Sequence, residues 1–177
     1  ASRDSVGPQA APPVGLKTAR RRWTINGDFT TLSPMSGVAR YSREVTMALD
    51  ALISQGHPLT CDLDIDLVVP RPLPEQFHLD NIPVRIVPEF SRPRLPQFWV
   101  QAQLPRHVSG GLLSFCNLAP VAVRRQIACI HDMHTRLMPA SYGRGFRWAH
   151  RLVLPLLGRR AACITTVSEL SRSHLVR

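Results

Sequence analysis

Apolar positions along the chain gather into short runs separated by stretches with helical or irregular spacing. The run RWTIN, residues 22–26, predicts a first strand. Between 37 and 55, Val38, Tyr41, Val45, Ala48, Leu49 and Leu52 recur at the spacing of an amphipathic helix, with Ser36 at its N-cap and Gly56-His57-Pro58 as its stop. LDIDLVV, residues 63–69, alternates and then turns wholly apolar, the pattern of a strand entering a sheet covered on both faces. PVRIV (83–87), LLSF (112–115), IACIH (127–131) and AACITTV (161–167) predict four more strands. Residues 88–96, with three prolines, predict a loop, and 97–104 a short helix. Residues 145–157 predict a helix kinked or stopped at Pro155, and a last helix opens at Ser168 with Glu169 in its first turn. Strands alternating with helices in this way predict an α/β fold, a Rossmann-like parallel sheet flanked by helices.

In such a sheet ligands lie beyond the carboxyl ends of the strands, so the loops that matter are 27–37, 116–120, 131–139 and the approach to Ser168. Ser36-Gly37 stands where the helix begins. Backbone N–H groups there have no partner within the helix, and with the helix dipole they attract phosphate oxygens, while a glycine lets the anion come close. An isolated glycine can equally serve only to ease a turn. The loop carries no G-x-G-x-x-G and no G-x-x-x-x-G-K-[ST], which argues against an oxidoreductase with a dinucleotide cofactor and against a P-loop nucleotide site. His131-Asp132 follows an apolar strand and points to the same crevice. A neutral imidazole both donates and accepts, so it can hold a sugar hydroxyl and stabilise charge as a bond breaks, and Asp132 can orient the ring or bind a hydroxyl itself. A strand-end histidine can also be a satisfied structural residue. H-D-x-H with no third ligand makes a poor zinc site, and no metal is expected.

At 177 residues, with 44% apolar and 19% charged positions, the chain suits one globular core. Residues 1–21 read as a flexible basic lead-in without the apolar segment of a secretory signal, and 22–177 as the domain. Cys61, Cys116, Cys129 and Cys163 lack metal-like spacing, and a reduced, cytoplasmic setting with buried thiols is expected. The formal charge of +10 is uneven: residues 120–177 hold ten basic and two acidic side chains. All basic residues but Lys17 are arginine, which suits phosphate and carboxylate through its planar fork, although an arginine-rich genome gives the same bias. Arg144, Arg147 and Arg151 share one face of the 145–157 helix, with Phe146, Ala149, Val153 and Leu157 on another. This is either a solvated face over a buried one or a surface for anionic lipid. A non-enzymatic nucleic-acid-binding domain is the rival reading of this charge, but only Trp148 and Tyr142 lie near the arginines as stacking platforms.

The ordered blocks ING, SGVARYSREV, FWVQAQLP, SFCNLAP, IACIHDMHTRLMPASYG and ITTVSELSRSHL together resemble the N-terminal half of family 4 glycosyltransferases, retaining enzymes with two Rossmann-like domains (the GT-B fold). Within that family the chain looks closest to bacterial mannosyl- and rhamnosyltransferase-like members. The resemblance implies transfer of a hexose from a nucleotide-diphosphate sugar to a glycan or lipid-linked glycan in polysaccharide biosynthesis. No metal and no nucleic-acid partner are expected, and the basic C-terminal third suggests a cytoplasmic protein that sits peripherally at the inner face of an anionic membrane. By the same resemblance Gly37 approaches the donor diphosphate, Ser36 stands where many members carry a second glycine, and Arg40 follows on the helix. His131 lies beside the donor sugar and acceptor hydroxyl, and Asn117 and Ser168 border the crevice. The family's C-terminal donor domain has no counterpart in this chain, which is therefore expected to be inactive alone.

Overall fold

The computed structural model describes residues 20–33, 36–90, 97–131 and 144–175. Six strands, β1 (Arg21–Asn26), β2 (Leu63–Val69), β3 (Val84–Ile86), β4 (Gly111–Ser114), β5 (Gln126–Cys129) and β6 (Cys163–Thr165), pair in parallel in the order β3-β2-β1-β4-β5-β6. From β1 the chain runs outward to β3, then crosses back to lay β4 on the other side of β1. Parallel neighbours need crossovers, and these carry the helices. They are α1 (Gly37–Ser54) after β1, a π turn (Trp99–Gln103) running into a 3₁₀ turn (Leu104–His107) before β4, α2 (Arg144–Arg160) before β6, and α3 (Glu169–Leu175) after it. The sheet is the Rossmann-like α/β architecture that the alternation predicts.

Successive side chains on each strand face opposite sides of the sheet. On one side Ile25, Ile65, Leu67 and Val69 pack with Phe29, Phe77, Ile82 and Cys116 beneath Val38, Leu49 and Ile53 of α1. On the other, Val68 and Leu112 meet Trp99, Val100 and Leu104, while Ala128 meets Leu157 of α2 and Ile130 meets Leu154. Ile25, Leu67, Val68, Val69 and Leu112 are wholly inaccessible, each contributing about 1.5–3 kcal/mol of burial. That two-sided cover is why LDIDLVV loses its alternation, and β2 has the boundaries its pattern predicts.

Two helices differ from their patterns. The stripe that α1 buries is Ala39, Ser42, Thr46 and Asp50, and Tyr41, Met47, Ala48 and Leu52 are exposed. Ser42 and Thr46 can bury because their hydroxyls reach carbonyls of their own helix, Val38 O at 2.8 Å and Ser42 O at 2.8 Å, so these small side chains cost little and let the helix sit close. The second helix, α2, continues through Pro155 to Arg160. Pro155 is exposed while Leu154 and Leu157 are buried. The hydrogen bond it forfeits thus lies on the side open to solvent, and packing of the two leucines carries the helix on. His150, Leu154 and Leu157 form the buried stripe of its second half. No helix among the described residues is long and apolar enough to cross a membrane.

Two glutamines in the π turn clamp separate loops. Gln103 donates to Pro88 O (2.8 Å) and accepts from Phe90 N–H (3.1 Å), whereas Gln101 donates to Ala119 O (2.9 Å) and accepts from Val121 N–H (3.0 Å). Near the end of α1, Asp50 accepts backbone N–H groups of Asp80 (3.1 Å), Asn81 (2.9 Å) and Ile82 (2.7 Å), fixing the approach to β3. Burial pushes the Asp50 carboxyl up, but these donors outweigh it and hold its pKa below the usual carboxylate value. A depressed folded-state pKa gives stability that is fully present above the unfolded value of about 4 and is lost as pH falls through the folded value. Asp50→Ala is expected to cost about 2–3 kcal/mol at neutral pH in chemical denaturation, because several donors lose a charged acceptor. The gap from wild type should narrow in acid below the usual carboxylate range; a gap independent of pH contradicts the charged-acceptor account.

Candidate functional site

The strand order reverses between β1 and β4, so their carboxyl ends border a crevice. Asn26 closes its floor. Fully buried, its amide donates to Leu118 O (2.8 Å) and to Ser114 Oγ (3.3 Å), and its Oδ1 accepts from Asp28 N–H (3.1 Å). One side chain thus ties the end of β1 to the β4 loop and starts the 3₁₀ turn Gly27–Thr31. At Gly27 a Cβ would overlap the Val68 carbonyl and the Val69 side chain, so the turn passes against β2 only because that atom is missing.

Gly37 stands in contrast, since a Cβ there would meet nothing within 4 Å. Packing does not demand a glycine at the start of α1. Ser36 takes the extended N-cap conformation (φ −69°, ψ 128°), yet its hydroxyl makes no capping hydrogen bond, and no acidic side chain occupies the first turn. The helix start therefore keeps its partial positive charge without a carboxylate or side-chain cap of its own to offset it.

His131 lies two residues beyond β5 and is 8% exposed. Its Nε2 is 2.7 Å from Phe115 O, and a carbonyl only accepts, so Nε2 carries the proton. Ser42 Oγ of α1 lies 2.9 Å from the same carbonyl, which thereby joins helix, β4 loop and β5. The Tyr41 ring stands edge-on to the imidazole, centroids 4.8 Å apart and planes at 90°. Asn117, left-handed at φ 45°, accepts the His131 backbone N–H on Oδ1 (2.5 Å), and its own N–H donates to Cys129 O (3.1 Å). Asparagine tolerates that backbone region better than most residues. On the far side Ser171 Oγ donates to His131 O (2.7 Å). Ser168 caps α3, accepting Ser171 N–H at 3.1 Å, and so steadies the serine that holds His131.

The Cys129 thiol completes the cluster. Burial pushes its pKa up, but hydrogen bonds with His131 and Thr165 outweigh burial and hold it below the ordinary thiol value. Burial, and then the neighbouring Cys129, push the Tyr41 phenol up. Of the four free cysteines, Cys116 and Cys129 are buried as expected, whereas Cys61 and Cys163 are exposed. The structure therefore gathers the start of α1, Tyr41, Asn117, Cys129 and His131 at one end of the sheet, with Ser168 acting through Ser171. Arg40 departs from the group: it lines a depression with Phe29 and Phe77 on the other flank of α1 from Tyr41. Asp132, and His134 of the H-D-x-H pattern, lie outside the described residues. Among the described residues no group of three or more His, Cys, Asp or Glu could hold a metal ion. Cys129 and Ser171 are not candidates from the sequence; strand alternation places Cys129 on the His131 side, but it does not reveal a bond.

The two glycines give a paired test by thermal or chemical denaturation. Gly27→Ala is expected to destabilise by at least about 2 kcal/mol through overlap with β2. Gly37→Ala is expected to change stability by 0 to about +1 kcal/mol, since alanine fits the helix and restricts the unfolded chain. A large loss at Gly37 would mean that the fold, and not a ligand, requires that glycine. No family model, no curated protein and no solved structure matches this chain, so the site is interpreted from its geometry and chemistry.

Proposed function

We propose that the chain is the N-terminal domain of a retaining glycosyltransferase, which moves a hexose from a nucleotide-diphosphate sugar to a hydroxyl of a glycan or lipid-linked glycan in polysaccharide biosynthesis. One observation carries the reading. An uncapped helix start whose glycine no packing requires lies one turn from Tyr41, which touches a rigidly held imidazole at the strand-order reversal of the sheet. The helix start supplies N–H donors and positive potential where a leaving diphosphate gathers charge. His131, with Nε2–H on the Phe115 carbonyl and its main chain pinned by Asn117 and Ser171, offers an imidazole of fixed orientation beside that anion. Its part is to position the donor sugar and stabilise charge as the glycosidic bond to diphosphate breaks.

In this reading a second domain closes over the donor, expels water that would otherwise hydrolyse it, and adds basic side chains against the diphosphate, so that no metal is needed. Exposed Leu152 and Leu156 alternate on α2 with exposed Arg151, Arg159 and Arg160 nearby, which supports peripheral contact with an anionic lipid surface at the inner face of the membrane. Nucleic acid is not a partner in this proposal.

The test is His131→Ala in the protein that carries the transfer activity. It is expected to lower kcat about 10²-fold or more, as loss of a preorganised electrostatic group does, with the product anomer still matching the donor by NMR. Turnover near normal rejects the role of His131. Failure to transfer hexose from any nucleotide-diphosphate donor rejects the transferase reading.

A further inference from the structure

On the flank of α1 turned away from His131, Phe29, Leu32, Arg40, Arg43, Pro74 and Phe77 surround a shallow open depression of about 70 Å³. Its floor is aromatic: Phe29 and Phe77 are 3% and 4% exposed, with ring centroids 5.9 Å apart and planes tilted by 55°. Arg40 and Arg43 stand at its rim three positions apart on α1, so their side chains are helical neighbours. The only ion pair either makes among the described residues is that of Arg43 with Glu44 at 3.2 Å, between half-exposed sequence neighbours. Such a surface pair is weak and readily exchanged. Two adjacent like-charged guanidinium groups repel one another.

We propose that this depression binds an amphipathic phosphate monoester, with its apolar group on Phe29 and Phe77 and its phosphate between Arg40 and Arg43. Charge selects the ligand. A phosphate monoester carries about −1.5 to −2 at neutral pH and three acceptor oxygens, which matches two forked cations better than a single carboxylate does. The aromatic floor selects against a bare inorganic ion, because the apolar group gains burial that the ion cannot. The site is separate from the crevice at Gly37 and His131. Helical geometry puts Tyr41 on one flank of α1 and Arg43 on the other, so the two regions can be occupied together. The proposal does not depend on glycosyl transfer, and it is tested by binding alone.

Phenyl phosphate, inorganic phosphate and benzyl alcohol are titrated against the protein while its amide spectrum is recorded. Phenyl phosphate is expected to shift the signals of Phe29, Arg40 and Phe77 saturably, with at least about tenfold tighter binding than inorganic phosphate or benzyl alcohol. The variant R40A/R43A is expected to lose at least about tenfold in affinity, while R20A/R124A, which removes two exposed arginines just before β1 and β5, keeps wild-type affinity. Equal loss in both variants indicates diffuse charge attraction and overturns the proposal, as does equal binding of inorganic and phenyl phosphate. Co-sedimentation with phosphatidylcholine vesicles containing phosphatidic acid separates the sources. Binding of phenyl phosphate in solution identifies a soluble ligand. Binding of vesicles only, abolished in R40A/R43A, identifies a lipid headgroup, and absence of both overturns the site.

Discussion

The buried amide of Asn26 is the constraint on which the geometry of the crevice depends. A fully buried side-chain amide is stable only with its donors and acceptor engaged, and here the partners come from both sides of the strand-order reversal: Leu118 and Ser114 from the β4 side, Asp28 from the β1 turn. The β1 turn and the β4 loop must therefore hold a single mutual arrangement. With the turn fixed and passing against β2 at Gly27, the start of α1 is set beside the carboxyl end of β4. The Phe115 carbonyl then transmits that placement to β5, because it meets both Ser42 of the helix and the His131 ring.

From that framework α1 acquires two working flanks. Tyr41 faces an ordered polar cluster of His131, Cys129 and Asn117, in which each group has a partner that fixes it. Arg40 and Arg43 face an aromatic depression, and the only ion pair either makes among the described residues is that of Arg43 with Glu44. The first flank suits chemistry that needs fixed dipoles, since preorganised groups pay no reorganisation during a reaction. The second suits recognition of an anion with an apolar body. Burial between them is supplied by Ala39, Ser42 and Thr46, small enough to bring the helix near the sheet and place both flanks over the strand ends.

Much of the fold was legible in the sequence because a parallel sheet covered on both faces writes itself as apolar runs. LDIDLVV marks β2, and helical spacing after Gly37 marks α1. The topology rule for open sheets points to the strand ends, and in the structure Tyr41 of α1 meets the His131 ring there. What pattern reading missed were buried polar groups whose partners are distant in sequence. Asp50 serves residues 80–82, Gln103 serves residues 88 and 90, and Asn26 serves residues 114 and 118. Periodicity scores these positions as exposed. The same blindness rotated the stripe on α1 toward Tyr41 and Leu52, since hydroxyls that bond within their own helix do not register as core. Arg40, which the family resemblance sets after Gly37 on the helix, lines the depression on the Phe29 flank in the structure.

The claim most in need of measurement is that the start of α1 and His131 form one anion-binding crevice. A residue-resolved amide titration with inorganic pyrophosphate addresses it directly. The account predicts that the signals of Gly37, Val38, Asn117 and His131 move together, saturate with one dissociation constant, and weaken as salt is raised. Movement confined to arginine-rich segments elsewhere, or independent midpoints at Gly37 and His131, would contradict it.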